Sequence, residues 1–262
     1  MSAPSGGAAA TPAVALRGVQ ATYVEHGLHV EALHDVNLTV ARGEFVSVIG
    51  PSGCGKSTML NLIAGIDRPS TGEIAVNGRS AIGRTGLVAH MPQRDLLLPW
   101  RTTLQNAVLG PELRGEPDRE ARALAQLDRF GLEGFADAYP HMLSGGMRQR
   151  AAMLRTILLD RDTLLLDEPF GALDALTRGE MQEWLLGIWT ELAKTILFVT
   201  HDVEEAIFLS DRVYVMTRRP GTMKLVLAID LPRPREREMT TSPPFVDAKR
   251  TLLHALLAET QG

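Results

Sequence analysis

Hydrophobic and polar positions change their rhythm several times along the chain. Val36, Leu38 and Val40 alternate with polar residues, the period of a half-buried strand. The mostly apolar run Phe45 to Ile49 follows and predicts a strand buried on both faces, with glycines and then a helix immediately after it. Glu73 to Val76 is another strand, closed by the hairpin dipeptide Asn77-Gly78, and Leu87 to Met91 is a further short one. From Thr102 to about Asp160 the rhythm becomes helical, broken at Pro111, Pro117 and Pro140. Strands return at Thr163 to Leu166, Thr195 to Thr200 and Arg212 to Met216, with helical stretches at Ala175 to Ala193 and Val203 to Leu209 between them. Strands alternating with helices predict a parallel sheet covered on both faces, into which a helical block is inserted. Leu231 to Pro244 carries four prolines and reads as a linker. Beyond it, Phe245, Ala248, Leu252, Leu253, Leu256 and Leu257 repeat at helical spacing, which predicts an amphipathic helix packed back on the body.

Composition narrows the class. The 262 residues are 45% hydrophobic and 22% charged, enough apolar material for a full core. A net charge of −4 gives no broad basic footprint, so nucleic acid is not expected as a partner. The single cysteine, Cys54, cannot form an internal disulfide and fits a reducing compartment. Residues 1–13, MSAPSGGAAATPA, are small and turn-prone without the basic start and apolar stretch of a signal peptide, and are expected to form a flexible extension. No apolar run approaches the roughly 18 residues needed to span a bilayer.

The candidate chemistry gathers where strands end. Gly50-Pro51-Ser52-Gly53-Cys54-Gly55-Lys56-Ser57-Thr58 satisfies GxxxxGK[ST] between a strand and a helix, as a phosphate-binding loop requires. The glycines let the backbone curl so that successive N–H groups face an anion, and the helix adds the positive end of its dipole. Lys56 would reach the β- and γ-phosphates, and the Ser57 hydroxyl would coordinate Mg²⁺. Cys54 reads as a small filler of this loop. Its place near a helix N-terminus predicts a thiol more reactive than a buried one and protected from alkylation by bound ATP. Thr163-Leu164-Leu165-Leu166-Asp167-Glu168-Pro169 ends an apolar strand in two carboxylates. There Asp167 is placed to hold Mg²⁺ and Glu168 to polarise an attacking water. His201 and Gln93 follow strands in the same manner and offer hydrogen bonds near a γ-phosphate.

Leu143-Ser144-Gly145-Gly146-Met147-Arg148-Gln149-Arg150, ahead of Leu166-Asp167-Glu168-Pro169, resembles the signature of ATP-binding cassette (ABC) proteins, and the resemblance covers about residues 14–230. It implies an α/β fold, a P-loop NTPase with a RecA-like core, an antiparallel β subdomain and an inserted helical subdomain, here about residues 94–162; the linker and C-terminal helix at 231–262 lie beyond it. Residue by residue it implies that Tyr23 stacks on adenine and that Gly50 to Thr58 hold the phosphates. Gln93 would link Mg²⁺ and water to the transport partner, and Ser144, Gly145 and Gly146 would contact the γ-phosphate of an opposite subunit. Asp167 would be the Mg²⁺-side carboxylate, Glu168 the general base, Asp174 in Ala172-Leu173-Asp174 the D-loop residue, and His201 the switch histidine. Met147 stands where glutamine is common. The cofactors implied are ATP and Mg²⁺, and the activity is ATP hydrolysis coupled to transport.

Finer features point to the nitrate, sulfonate and taurine import group, or relatives handling pyrimidine precursors. They are Gln93 to Thr102 with Asn106, Arg219-Pro220-Gly221, and Leu231-Pro232-Arg233-Pro234. The implied partners are a second ATP-binding subunit in a homodimer, multi-span permease subunits and, indirectly, a solute-binding protein. The implied location is the cytoplasmic face of the cell membrane, as a peripheral subunit. Leu97-Leu98-Pro99-Trp100 would form part of the groove receiving the permease. Two alternatives compete with the importer. A soluble cassette ATPase not coupled to transport usually carries two cassettes or long coiled-coil insertions, and neither is evident. A GTP switch or small-molecule kinase finds no support, because none of Asn37, Asn61, Asn77 or Asn106 begins an Asn-Lys-x-Asp guanine motif.

Overall fold

The computed structural model describes residues 11–25, 27–171 and 173–257. In chain order the strands and helices begin β1 (Val14–Glu25), β2 (Leu28–Val40), β3 (Phe45–Ile49), α1 (Lys56–Ile63), β4 (Thr71–Val76), β5 (Arg79–Ser80) and β6 (Ala89–Met91). A helical block follows, α2 (Thr103–Ala107), α3 (Leu109–Leu113), α4 (Arg119–Leu127) and α5 (Gly145–Ile157). The chain then alternates through β7 (Thr163–Asp167), α6 (Ala175–Leu192), β8 (Thr195–Thr200), α7 (Val203–Leu209), β9 (Arg212–Met216), β10 (Met223–Ala228) and α8 (Pro243–Leu257).

Two sheets result. The first is antiparallel, ordered β2-β1-β4-β5, and its β4–β5 hairpin turns on Asn77 and Gly78, both at positive φ as such a turn demands. The second has the order β10-β9-β3-β8-β7-β6; β9, β3, β8, β7 and β6 run parallel and β10 is an antiparallel edge. Every residue of β3, β7 and β8 is buried, because this sheet is covered on both faces. The period of two divides β3 between two cores. Phe45 and Ile49 pack with α5, α6 and α7, whereas Val46 and Val48 pack with α1 and the antiparallel sheet.

Three expectations change. The alternation at Val36 to Val40 is only the end of a long β2, and its partner β1 went unassigned. The most deeply buried positions of β1 are Val14, Leu16, Val19 and Ala21, and register shifts between Leu16 and Val19 switch their parity and hide the alternation. Residues 1–10 of the expected extension lie outside the described residues, but Ala13 is already buried and donates to Val40 O at 2.8 Å. The stretch expected as a linker, 231–244, is instead docked. Arg235 is buried and donates to Ile207 O and Phe208 O at 2.8 and 2.9 Å, and Arg233 donates to Leu209 O at 2.9 Å and pairs with Asp211. These are the orphan carbonyls at the end of α7, satisfied by two guanidinium groups. The C-terminal helix packs back as expected, burying Phe245, Leu252 and Ala255.

In the helical block, Thr102 caps α2 reciprocally with Gln105. Asn106, fully buried, accepts from Leu98 N at 2.7 Å and donates to Leu98 O, Arg101 O and Thr102 O. It thereby fixes a turn that leaves Trp100 69% exposed.

Candidate active site

The phosphate loop leaves β3 at Gly50, where a Cβ would come within 2.9 Å of Met216 O. Gly53 and Gly55 have φ of +76° and +109°, the left-handed region that favours glycine. A Cβ on Gly55 would also lie 2.6 Å from Leu33 of β2, so the loop is pressed against the antiparallel sheet. No side chain caps α1, which leaves its first N–H groups facing outward beside the loop. Lys56 is buried and donates from Nζ to Gly50 O at 2.8 Å and Pro51 O at 3.0 Å, with Cys54 Sγ at 3.8 Å. A buried ammonium held by two carbonyls and a thiol suits an incoming anion.

Cys54 departs from the expectation of a reactive thiol. It is 1% exposed, and burial pushes its thiol up despite the nearby Lys56 charge. Alkylation should therefore be slow with or without nucleotide.

Three strand ends bring the polar machinery together. β8, β7 and β6 are neighbours in the sheet; His201 and Glu168 directly follow the first two, and Gln93 stands two residues beyond β6. His201 Nδ1 lies 3.0 Å from Glu168 Oε2, and Gln93 Nε2 donates to the same oxygen at 3.4 Å. Glu168 holds this position with a φ of +44°, a conformation that costs a side-chain-bearing residue roughly 1 kcal/mol. Its N–H donates to Val199 O at 2.8 Å, which anchors the strained turn to β8.

Asp167, the last residue of β7, is buried. Burial pushes its carboxyl above the usual carboxylate range, and a hydrogen bond with Ser57 and the charge of Lys56 only partly offset this. A buried carboxylate beside a serine hydroxyl fits Mg²⁺, a hard cation that takes oxygen ligands. Among the described residues no group of three or more His, Cys, Asp or Glu side chains could hold a metal.

A cavity of about 340 Å³ joins the loop to Gln93 and Glu168, while Asp167 and His201 are not among its walls. Its walls include Ser52 to Thr58 of the loop apart from Cys54, together with Gln93 and Glu168. Ala32 and Arg219 also line it, and neither was singled out as a site residue from sequence. The signal for Arg219 was present in the Arg219-Pro220-Gly221 motif, yet nothing in the sequence says that the β9–β10 turn abuts the phosphate loop.

The remaining expected residues lie apart from this cavity. Tyr23, on β1, is half-buried and donates to Asp67 Oδ2 at 3.5 Å, and burial and Asp67 together push its phenol up. Ser144 caps α5, accepting from Met147 N at 3.2 Å. Gly145 and Gly146 form the first turn of α5, and a Cβ on Gly146 would meet Thr177 of α6 at 3.0 Å. Asp174 caps α6, accepting from Leu176 N and Thr177 N at 3.1 Å, which holds its carboxyl below the usual range. Ala172, named with Leu173 and Asp174, lies outside the described residues.

The family model described as ABC transporter matches residues 33–171. An uncharacterized ABC transporter ATP-binding protein of Methanocaldococcus jannaschii is 47% identical over 236 residues, covering 89% of this chain and 87% of that one. An aliphatic sulfonates import ATP-binding protein of Bacillus cereus is 40% identical, covering 92% of this chain and 94% of that one. A nitrate import ATP-binding protein of Synechocystis is 46% identical, with 79% of each chain covered. A dimeric structure of a bacterial ABC transporter cassette superposes with a TM-score of 0.73 at 32% identity, covering 82% of this chain and 98% of that one.

Proposed function

The chain belongs to the ABC transporter family and is an ATP-hydrolysing cassette, and from that premise we propose that it powers the uptake of a small solute through a separate permease. The observation that carries the hydrolytic reading is the convergence of Gln93 and His201 on one oxygen of Glu168, beside the phosphate-loop cavity. In this reading Glu168 accepts a proton from the attacking water, while His201 and Gln93 fix the carboxylate and present donors toward the γ-phosphate. Lys56 neutralises the β- and γ-phosphates from within the loop. Ser57, Asp167 and Gln93 would hold Mg²⁺, which supplies charge neutralisation at the phosphate oxygens when bound. Tyr23 would stack on the adenine, and the ligand-binding backbone runs from Gly50 to Thr58.

The signature residues Ser144, Gly145 and Gly146 do not line the phosphate cavity of their own chain. This supports a homodimer in which each signature serves the partner's nucleotide, with Asp174 at the junction. The solved cassette with TM-score 0.73 is itself dimeric. We take residues 14–230 as the nucleotide-binding unit, 94–162 as its helical arm and 231–262 as an appended tail. The exposed Leu96 and Trp100 on the turn fixed by Asn106 would meet the permease, in accord with an apolar contact surface. No described helix is long and apolar enough to cross a membrane, so attachment to the cytoplasmic face would run through the permease.

The importer reading rests on the relatives named for nitrate and aliphatic sulfonates, and the solute is of that class or a pyrimidine precursor. The test is co-purification with the permease and solute-stimulated ATPase in the reconstituted complex. Purification on nucleic acid or ribosomes, without a permease, would instead favour a cassette uncoupled from transport. For hydrolysis itself, Glu168→Gln should lower turnover about a hundredfold or more while ATP still binds. Turnover near the native rate would remove Glu168 as the base.

A further inference from the structure

The turn between β9 and β10 has no role in the reading above, yet it forms a wall of the phosphate cavity through Arg219. It is fixed on two sides. Gly221 N donates to Ala32 O at 2.9 Å and Gly221 O accepts from His34 N at 3.0 Å, which ties the turn to β2. On the other side a Cβ on Gly221 would stand 2.2 Å from Cys54 O, so the turn touches the phosphate loop backbone to backbone. Within the turn, Thr217 N donates to Thr222 O at 3.0 Å and Thr217 Oγ1 accepts from Thr222 N at 2.9 Å. The backbone that carries Arg219 is thus built into the site.

Arg219 itself is exposed and makes no hydrogen bond or ion pair among the described residues. Lys56 is the one other cation lining the cavity, and its ammonium is buried under the loop. The remaining lining groups include Ser52, Gly53, Gln93 and Glu168, the phosphate-handling side, and Tyr23 is not among them. A nucleoside triphosphate brings several negative charges into this space, and a guanidinium matches phosphate oxygens with two parallel donors.

We propose that Arg219 is a nucleotide-binding residue, its guanidinium holding the polyphosphate oxygens of ATP from the β9–β10 turn. The assignment rests on the chain's reading as an ATP-binding cassette. It differs from the loop contacts in kind. The loop grips with backbone N–H groups and a buried ammonium, whereas Arg219 would close on the nucleotide from the solvent side.

The test is calorimetric titration of the full chain with ATP and with AMP, in EDTA so that no hydrolysis occurs. The chains are wild type, Arg219→Ala, Arg219→Lys and, as reference, Lys56→Ala. Arg219→Ala should weaken ATP about tenfold and leave AMP within about twofold of wild type, with a loss that shrinks as salt rises. Arg219→Lys should recover part of the ATP affinity, since charge returns without the fork. ATP affinity unchanged in Arg219→Ala would overturn the assignment. So would equal losses for ATP and AMP, which would mean that the arginine supports the base or the fold instead. A wild-type chain that fails to bind ATP, or a Lys56→Ala chain that binds like wild type, would defeat the nucleotide reading as a whole, a result separable from failure at Arg219 alone.

Discussion

Glu168 joins two demands at one residue, a carboxylate aimed at Gln93 and His201 and a backbone held at φ +44°. The strain and the chemistry can be separated by substitution. Glu168→Gly and Glu168→Ala both remove the carboxylate, but only glycine adopts the left-handed region freely. The glycine variant should therefore be more stable than the alanine variant by about 1 kcal/mol, read from urea denaturation. Asp167 carries the opposite signature in its charge. Its folded-state pKa is raised by burial, so between the ordinary carboxylate value and that raised value the folded chain binds more proton than the unfolded one. Stability then falls as pH climbs through this window, and the ionised group is a liability at neutral pH. Asp167→Asn should raise the melting temperature of the nucleotide-free chain by about 2 °C and flatten that part of its pH profile, while abolishing Mg²⁺-dependent turnover. A lowered melting temperature would contradict the burial argument. These residues were legible because the two carboxylates together end the apolar run Thr163 to Leu166. Arg219 was not, because its relation to the phosphate loop exists only once β2 and the β9–β10 turn meet.

Among the elements, legibility followed regularity. β3, β7 and β8 read clearly because a sheet covered on both faces makes them continuously apolar. β1 was hidden by its bulges, and β10 by the exposed Val226 amid half-buried Leu225 and Leu227. The segment 231–244 was misread for a different reason. Proline content signals what a chain cannot form, and says nothing of the carbonyls that Arg233 and Arg235 find at the end of α7. Arg235 is desolvated enough that its pKa falls to about 10, yet it remains charged and doubly bonded at neutral pH. Arg235→Ala should lower stability by about 2 kcal/mol, with a matching drop in the urea midpoint. In the helical block, Asn106→Ala should free the turn from Leu98 to Thr102, and the Leu98 amide, which donates to Asn106 Oδ1 at 2.7 Å, should exchange about tenfold faster or more.

At the scale of the whole molecule the two cores share the parallel sheet as a common wall, and the phosphate loop runs along the side where the antiparallel sheet is pressed. One chain therefore assembles the loop and its carboxylates but leaves its signature turn at α5 apart from them. Glu168→Gln with ATP should elute as a dimer in size-exclusion chromatography, and Lys56→Ala with ATP as a monomer, since only a bound, unhydrolysed nucleotide would join the halves. Elution of the Glu168→Gln chain as a monomer at saturating ATP would count against the shared site. The docked tail bears on the same machinery. Asp202 caps the start of α7 beside His201, and Arg233 and Arg235 cap its end, so the helix next to the histidine is held at both tips. A protease that trimmed the tail ahead of Arg233 would do more than shorten the chain: it would strip the guanidinium bonds from the Ile207, Phe208 and Leu209 carbonyls and release one end of the helix that follows His201.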